Sequence, residues 1–361
     1  MKKYLFYLLT FTFFATTAQI PGNYYDSATG LTGFALKTEL HNIISNGHNP
    51  QGYNDLWTAY QISDDDQYYE SDGTVLDIYS ENPNGTDPYG FNFGADQCGN
   101  YGGEGDCYNR EHLMPQSWFN SAMPMKSDIH HVIPTDGYVN GVRGHLPFGE
   151  VGSANYVSAN GSKRGNNTVP GYNGEVFEPI DEFKGDIARV YFYMATRYED
   201  KIASWENEND GSMATLNGTS DQVFENWMLD MLLDWHQNDP VSQREIDRNE
   251  EAYNFQGNAN PFVDHPEFID MIWGSGMGFS SSQKNEFEMF PNPISTDRLQ
   301  IKVSEAGTFQ MEIHNLLGKL VLSKNISKGE NLIDISNLPM GIYLIKISGE
   351  NMLMTKKLIR K

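Results

Sequence analysis

The sequence predicts an α+β protein with two parts, a mainly helical first domain and a small all-β sandwich of immunoglobulin-like type at the C-terminal end. Apolar residues recur at helical spacing in residues 187–198 and 224–235, which is typical of amphipathic helices. From residue 299 onward, short runs of alternating apolar and polar residues are separated by turn residues, which favours a sandwich. A run of small residues between the two patterns, at 274–282, indicates a linker.

The helical region is expected to contain a third helix after the first two. Asp239 followed by Pro240 resembles an N-cap and first-turn pair, and the helix should end near Gly257. Arg244 and Arg248 lie four residues apart in it and would share one face. Such a face is commonly just solvated, and contact with phosphate is the alternative.

Residues 1–18 are predicted to be a signal peptide that is removed after Ala18. Lys2 and Lys3 precede an apolar run, and small residues follow it. The run of about a dozen residues is too short to span the roughly 30 Å hydrocarbon core of a bilayer. We therefore expect the mature protein outside the cytoplasm. Its predicted parts are a first domain over residues 19–273, a linker over 274–285 and the all-β module over 286–361.

The chain has two cysteines, Cys98 and Cys107. A disulfide between them is the expected state in an oxidising compartment, and it would close a small glycine-rich loop. Two thiolates on a soft metal ion are the alternative, but nothing nearby completes a set of four ligands.

The formal net charge is −23, which is unfavourable for binding phosphates. Residues 284–361 hold 11 basic and 8 acidic side chains, so the acidity belongs to the first domain. This excludes a nucleic-acid-binding module recognised by an overall basic surface. A protein acting on phosphodiesters would need a bound cation and a few well-placed arginines to offset the charge locally.

Residues 107–151 concentrate the groups that could carry chemistry. These groups are Glu111, His112, Asp128, His130, His131, Asn140, Arg143 and His145. Metal-assisted hydrolysis of a phosphodiester needs a base for water, oxygen ligands for a hard divalent cation and a positive charge near the leaving group. The stretch can supply all of them.

Two spacings constrain how these groups could meet. Glu111 and His112 are adjacent, so they can serve one site only if their strand ends or bulges there. Pro115 makes such an ending plausible, since proline cannot donate to a sheet. Asn140 and Arg143 are three residues apart, and a helix would place them on one face. A helix cap is the simpler role for Asn140.

Three strings in this stretch carry a family resemblance. They are NREHLMPQSWF at 109–119, SDIHHVIPTDGYVNGVRG at 127–144 and LPFGEV at 146–151. Together they resemble the bacterial endonuclease I family, and the resemblance extends over roughly residues 35–273. It implies a secreted or periplasmic nuclease with a ββα-metal, or His-Me finger, core embedded in the helical domain.

The resemblance also implies roles for individual residues. His112 would be the general base that activates water, Glu111 and Asn140 would ligate Mg²⁺, and Arg143 would contact phosphate. Ca²⁺ and Mn²⁺ are alternatives to Mg²⁺. The residues expected to support the base or its strand are His130 and His131.

The end of the chain resembles a second family. FPNPI at 290–294, DISNLPMGIYLIKI at 334–347 and the final KKLIRK are similar to the C-terminal sorting domain of proteins exported by the type IX system. The resemblance implies passage through the periplasm, export across the outer membrane, and then removal of the tail or attachment to the surface. The type IX machinery is thus an expected partner. No stable protein partner is indicated, and we expect a monomer.

The expected activity is hydrolysis of DNA, and of RNA as a second substrate, to fragments with 5′-phosphate ends. Sequence specificity should be low, because contacts to phosphates carry no base information. One alternative is a surface adhesin with an inert nuclease-like region. The other is a zinc hydrolase, although no H-E-x-x-H pattern is present. Its candidate ligands would be His112, His130, His131 and His145.

Overall fold

The chain divides into two compact units, with the boundary between residues 278 and 279. This boundary falls inside the predicted linker. The computed structural model describes residues 19–274, 287–290, 292, 294, 296–315, 319–349 and 352–361. The predicted signal peptide and the predicted linker beyond Gly274 lie outside these residues. In the described part of the chain, no helix has both the length and the apolar character that crossing a membrane requires.

The first unit is an α+β domain built around buried helices. Its helices are α1 Gly33–Ser45, α2 Leu56–Ser63, α3 Gly137–Arg143, α4 Lys184–Arg197, α5 Asp210–Thr215, α6 Asn226–Asn238, α7 Gln243–Gln256, α8 Pro261–Asp264 and α9 Glu267–Ile272. Short 3₁₀ turns lie at Asp26–Ala28, Gln116–Phe119, Met125–Ser127, Asp181–Phe183 and Ile202–Glu208. Its strands are β1 Tyr108–His112, β2 Val132–Asp136, β3 Val151–Val157, β4 Lys163–Asn167 and β5 Glu175–Glu178.

The two helices predicted from apolar spacing are α4 and α6, and they pack against each other. On α4, Ile187 and Tyr191 are fully or almost fully buried. On α6, Met228 and Leu232 are fully buried, but Phe224 precedes the helix, which begins at Asn226. These side chains belong to one continuous apolar core. Burial of one apolar face therefore stabilises each helix.

The third helix begins later than the sequence predicted. Asp239 ends α6, and Ser242 is the N-cap of α7. The Ser242 side chain accepts from the Glu245 amide, and the Glu245 carboxylate accepts from the Ser242 amide. This reciprocal pair satisfies two backbone amides at the start of α7. Asp239 instead lies at the end of α6, before that start. The predicted end is confirmed: Gly257 caps α7 in the left-handed conformation, with φ of 81°.

The prediction of a solvated or phosphate-binding face on α7 was wrong. Arg244 forms an ion pair with Asp186, and the Arg248 Nε lies 2.8 Å from the Asp64 Oδ1. Both arginine side chains are only 10% exposed. They connect α7 to its neighbours and have no free surface to offer a phosphate.

The elements that position the candidate site are β1, β2 and α3. β1 and β2 are antiparallel, with Tyr108 opposite Asp136 and His112 opposite Val132. α3 follows β2 directly and contacts both strands. Its N-cap is Asp136, whose side chain accepts from the Val139 amide. α3 therefore begins beside the start of β1, and Arg143 at its last position reaches the end of that strand. A separate antiparallel sheet has the order β3–β4–β5.

The second unit is all-β, as predicted, but its described strands belong to one sheet and not to the two packed sheets of the predicted sandwich. Its strands are β6 Phe287–Phe290, β7 Arg298–Asn315, β8 Leu320–Asp334, β9 Gly341–Gly349 and β10 Met352–Arg360. The long β7 pairs with β6, β8 and β9, so all five strands belong to one curled sheet. The alternating residues Leu299, Ile301 and Val303, and then Met311 and Ile313, are buried in its core. Two strands predicted separately from these runs are thus one strand, interrupted by a register shift between Val303 and Thr308.

Candidate active site

Glu111 and His112 line a cavity of about 410 Å³ at the end of β1. β1 stops at His112, and Pro115 leads into the 3₁₀ turn that follows. The strand therefore ends directly after this adjacent pair, as two adjacent side chains in one site require, and both residues line one cavity. Asn140 of α3 lines the same cavity.

The Glu111 carboxylate is held by one of its two oxygens. Oε1 accepts a hydrogen bond from the Tyr79 hydroxyl at 3.0 Å and another from the Arg143 Nη1 at 2.9 Å. Among the described residues, no side chain donates a hydrogen bond to Oε2, and the His112 backbone amide adds a further stabilising contact to the carboxylate. The residue is 2% exposed, and burial raises the pKa of its carboxyl group while the Arg143 charge lowers it. The carboxylate is therefore fixed in orientation, with one oxygen left for a ligand.

Arg143 is the last residue of α3, and its side chain is fully buried. Besides Glu111, its guanidinium donates to the His112 carbonyl at 2.9 Å and to the Leu113 carbonyl at 2.7 Å. It also lies 4.4 Å from the centre of the Phe148 ring. It is not among the residues that line the cavity. The guanidinium thus ties α3 to the end of β1, a different place from the phosphate contact that the sequence predicted.

The His112 imidazole has one nitrogen engaged and one free. Its Nε2 lies 3.0 Å from the Lys126 carbonyl oxygen. A carbonyl can only accept, so Nε2 carries the proton and Nδ1 is the basic nitrogen. Burial and the neighbouring His131 lower the pKa of His112 to about 3. The ring is therefore neutral near pH 7 and can accept a proton at Nδ1.

The two supporting histidines are both buried, but they do different things. The His131 ring lies 5.5 Å from the His112 ring, and its Nε2 donates to the Met125 carbonyl at 2.6 Å. The His130 Nε2 lies 2.9 Å from the Asn258 carbonyl oxygen. His131 thus packs against the His112 ring, whereas His130 fastens the segment before β2 to the segment after α7.

Asn140 is half-buried and is not a helix cap, since Asp136 has that role. Its Nδ2 donates to the Asn109 Oδ1 at 2.7 Å. This bond turns the amide so that its carbonyl oxygen is left for another partner. Asn109 lies on β1, two residues before Glu111, so the bond also fixes α3 against the strand.

Sequence reasoning missed several residues that shape the cavity. Tyr79 contacts Glu111 from 32 positions away, and no motif marks it. The Arg110 guanidinium lies 3.5 Å from the Tyr53 ring centre and 4.3 Å from that of Trp57, and all three residues line the cavity. The position of Arg110 directly before Glu111 was the available signal.

The four histidines of the zinc alternative do not form a metal site in the described residues. His145 is exposed at the cavity, whereas His130 and His131 are buried. Within the described ranges, the group of three or more histidine, cysteine or acidic ligands whose ligand atoms lie close together is elsewhere, at Asp66, Glu70 and Glu81.

The predicted disulfide between Cys98 and Cys107 is confirmed. Cys107 directly precedes β1, and Cys98 lines the cavity. The Cα atoms are 5.8 Å apart. The bridge therefore fastens the glycine-rich loop at the cavity to the start of the strand that carries Glu111 and His112.

Comparison with known proteins identifies two families. Residues 32–267 match the Endonuclease I family, and residues 288–361 match the secretion system C-terminal sorting domain. The chain is 38% identical over 254 residues to an extracellular ribonuclease of Bacillus amyloliquefaciens, covering 69% of this chain and 78% of that protein. The values are the same for the extracellular ribonuclease of Bacillus subtilis. An extracellular deoxyribonuclease of Aeromonas hydrophila is 25% identical over 168 residues, covering 46% of this chain and 58% of that protein.

These matches define a secreted nuclease. The chain belongs to the Endonuclease I family. Its C-terminal unit is a type IX sorting domain, which directs the protein to the cell surface or the extracellular space.

Proposed function

We propose that this protein is a metal-dependent, non-specific endonuclease that hydrolyses DNA, and also RNA, to fragments with 5′-phosphate ends. One observation carries the proposal most directly: His112, whose Nε2 donates to the Lys126 carbonyl and so leaves Nδ1 as the basic nitrogen, lines the same cavity as Glu111 and Asn140. The names of the relatives support both substrates, since one is called a ribonuclease and another a deoxyribonuclease. The polarity of the ends follows from the family resemblance.

His112 is the proposed general base. Its Nδ1 takes a proton from the water that attacks the phosphorus in line with the leaving oxygen. The imidazolium formed in this step is stabilised at Nε2 by the Lys126 carbonyl, which already accepts that proton in a hydrogen bond. The same bond holds the ring in the tautomer that leaves Nδ1 basic.

The donors at the cavity fit a hard divalent cation. The Glu111 Oε2 and the Asn140 carbonyl oxygen are oxygen ligands, which Mg²⁺, Ca²⁺ and Mn²⁺ prefer, and two protein ligands leave room for water and phosphate. Such an ion, when bound, would stabilise the charge that develops on the phosphate and on the leaving oxygen. We propose Mg²⁺ as the ion. Tyr79 and Arg143 act as positioning residues by holding the Glu111 Oε1.

Arg110 and Lys126 supply positive charge where this acidic protein needs it. Arg110 lines the cavity, and the Lys126 ammonium lies 5.0 Å from the Tyr53 ring centre. We propose that they contact phosphates beside the scissile bond. Such contacts carry no base information, which agrees with low specificity.

Cleavage of supercoiled plasmid and of single-stranded RNA tests the proposal. We expect both substrates to be cleaved in Mg²⁺, with 5′-phosphate termini, and both reactions to stop in EDTA and resume when Mg²⁺ is restored. Cleavage that persists in EDTA would refute the metal dependence. No cleavage of either polymer under any divalent ion would favour the adhesin interpretation.

We also propose that all of the catalytic machinery lies in residues 19–273, with nucleic acid and the type IX machinery as partners of a monomeric protein. A chain truncated after Ser282 should keep its full rate of plasmid cleavage, because the two units have separate cores. In the native host, the truncated protein should accumulate in the periplasm. Loss of activity in vitro would instead show that the second unit is part of the enzyme.

A further inference from the structure

A second group of acidic side chains lies outside the residues that line the cavity, at Asp66, Glu70 and Glu81. Each offers one carboxylate oxygen, and the three oxygens lie within 4.8 Å of one another. Asp66 is 3% exposed, Glu81 is fully buried and Glu70 is half-buried. Like charges this close repel one another strongly unless a cation or protons neutralise them.

Glu81 is the informative member of the group. Neither of its carboxylate oxygens has a hydrogen-bond partner, although both are buried, and the Glu70 Oε2 is also buried without a partner. Across the described ranges, no lysine or arginine forms an ion pair with any of the three carboxylates. Burial, with the charges of Asp87 and Glu70, raises the pKa of Glu81 to about 9. Glu81 is thus a buried acid beside two other acids, and no described lysine or arginine neutralises its charge.

Asp66 is already arranged as a ligand. Its Oδ1 accepts from the amides of Tyr68 and Tyr69, at 3.3 and 3.1 Å, and its Oδ2 accepts from the Glu70 amide at 3.1 Å. These bonds hold its carboxylate in place beside that of Glu70. Oδ2 accepts one hydrogen bond and so keeps a lone pair for a further partner, whereas Oδ1 accepts two.

We propose that Asp66, Glu70 and Glu81 bind a hard divalent cation of the Ca²⁺ type, at a site separate from the catalytic one. Oxygens that bind one Ca²⁺ ion at about 2.4 Å lie at most about 4.8 Å apart, and the three carboxylate oxygens fall within that limit. Three carboxylates in an irregular segment suit Ca²⁺ better than Mg²⁺, which demands a nearly ideal octahedron and retains its water. The ion would supply the partner that Glu81 lacks.

The position of the site suggests what the ion stabilises. Glu81 follows Tyr79 by two residues, and the Tyr79 hydroxyl donates to Glu111. In the same segment, the Asp77 carboxylate accepts from the Asp136 amide at 2.8 Å, and the Glu81 carbonyl accepts from the Asn160 side chain at 3.2 Å. An ion bound at Glu81 would therefore fix the segment that contains Tyr79, and with it the hydrogen bond from Tyr79 to Glu111. Its role is structural, and it does not depend on the proposed reaction.

The test measures thermal unfolding of the full chain after EDTA treatment, with and without 1 mM Ca²⁺. The starting protein carries Glu111→Gln, which weakens binding of the proposed catalytic ion. The measured binding then belongs to the second site. We expect Ca²⁺ to raise its unfolding midpoint by several degrees, because an ion that binds only the folded state stabilises it. Adding Glu81→Gln should remove most of this rise. Adding Asp72→Asn, an exposed acid of the same segment, should leave it unchanged.

Binding itself is measured with Tb³⁺ in the same proteins, using luminescence sensitised by nearby tyrosines. We expect a signal that Ca²⁺ displaces, and that falls at least tenfold with Glu81→Gln. If that variant does not fold, Glu70→Gln replaces it, since Glu70 is partly exposed. The proposal would be overturned if Ca²⁺ did not change the unfolding midpoint of Glu111→Gln, or if it raised the midpoint equally with and without Glu81→Gln. Either result would mean that protons neutralise the three acids. Neither readout depends on cleavage, so failure here is distinct from failure of the proposed reaction.

Discussion

Replacing His112 with alanine should lower the rate of plasmid cleavage by roughly 10² to 10⁴, the usual contribution of a positioned base. The affinity for Mg²⁺ should stay near that of the wild type, because the proposed ion is held by Glu111 and Asn140, whereas the His112 Nε2 donates to the Lys126 carbonyl. The measurement is the cleavage rate of supercoiled plasmid as Mg²⁺ is varied. Its level at saturating Mg²⁺ should fall, and the half-saturating concentration should not change.

His145→Ala is the matched control, since His145 lines the same cavity but is exposed and has no role in the proposed chemistry. It should cleave at nearly the wild-type rate. If excess Mg²⁺ restored the activity of His112→Ala, His112 would be a metal ligand and not the base. A wild-type rate in His112→Ala would place the base elsewhere.

The helical and strand patterns predicted the elements well where burial on one side determines the structure. α4, α6 and the alternating strands of the second unit follow directly from apolar spacing. The start of α7 was misplaced because two capping signals lie close together in the sequence. Ser242 prevails because Glu245 completes its capping box, whereas Asp239 ends the preceding helix.

The candidate site could be predicted only in part, for a physical reason. Glu111, His112 and Asn140 stand in strings with a strong resemblance, and the structure brings them to one cavity. Tyr79 reaches Glu111 across 32 positions of chain, and such a contact leaves no local pattern. The burial of Arg143 is likewise invisible in sequence, where a buried arginine and a phosphate-binding arginine look the same.

The two arginines show how geometry redistributes the predicted roles. Arg143, expected at the phosphate, is enclosed by Glu111 and two carbonyl groups. Arg110 instead lies half-exposed at the cavity. Because the first domain is strongly acidic, the few cationic side chains at the cavity and the proposed ion would have to supply most of the local attraction for phosphates. The site is therefore expected to depend on metal for substrate binding as well as for chemistry.

Replacing either proposed ligand should raise the Mg²⁺ requirement, in contrast to the effect of His112→Ala. Asn140→Ala removes one oxygen at a half-buried position and should fold normally. Glu111→Gln removes the charge that attracts the ion, and it also leaves the buried Arg143 without its acidic partner, which destabilises the protein. At millimolar Mg²⁺ we expect both variants to cleave at least ten times more slowly than the wild type, by analogy with other metal-site substitutions.

Titration with Mg²⁺ separates these roles, since the rate of each ligand variant should recover in part as the ion concentration rises. The control is Asn155→Ala, an exposed asparagine on β3 that bonds to Glu175 and should titrate like the wild type. Thermal unfolding of each variant distinguishes a lost ligand from a lost fold. Folded Glu111→Gln that stays inactive at every Mg²⁺ concentration, alongside His112→Ala that recovers, would mean that the two roles are reversed, with the base at Glu111 and a metal ligand at His112.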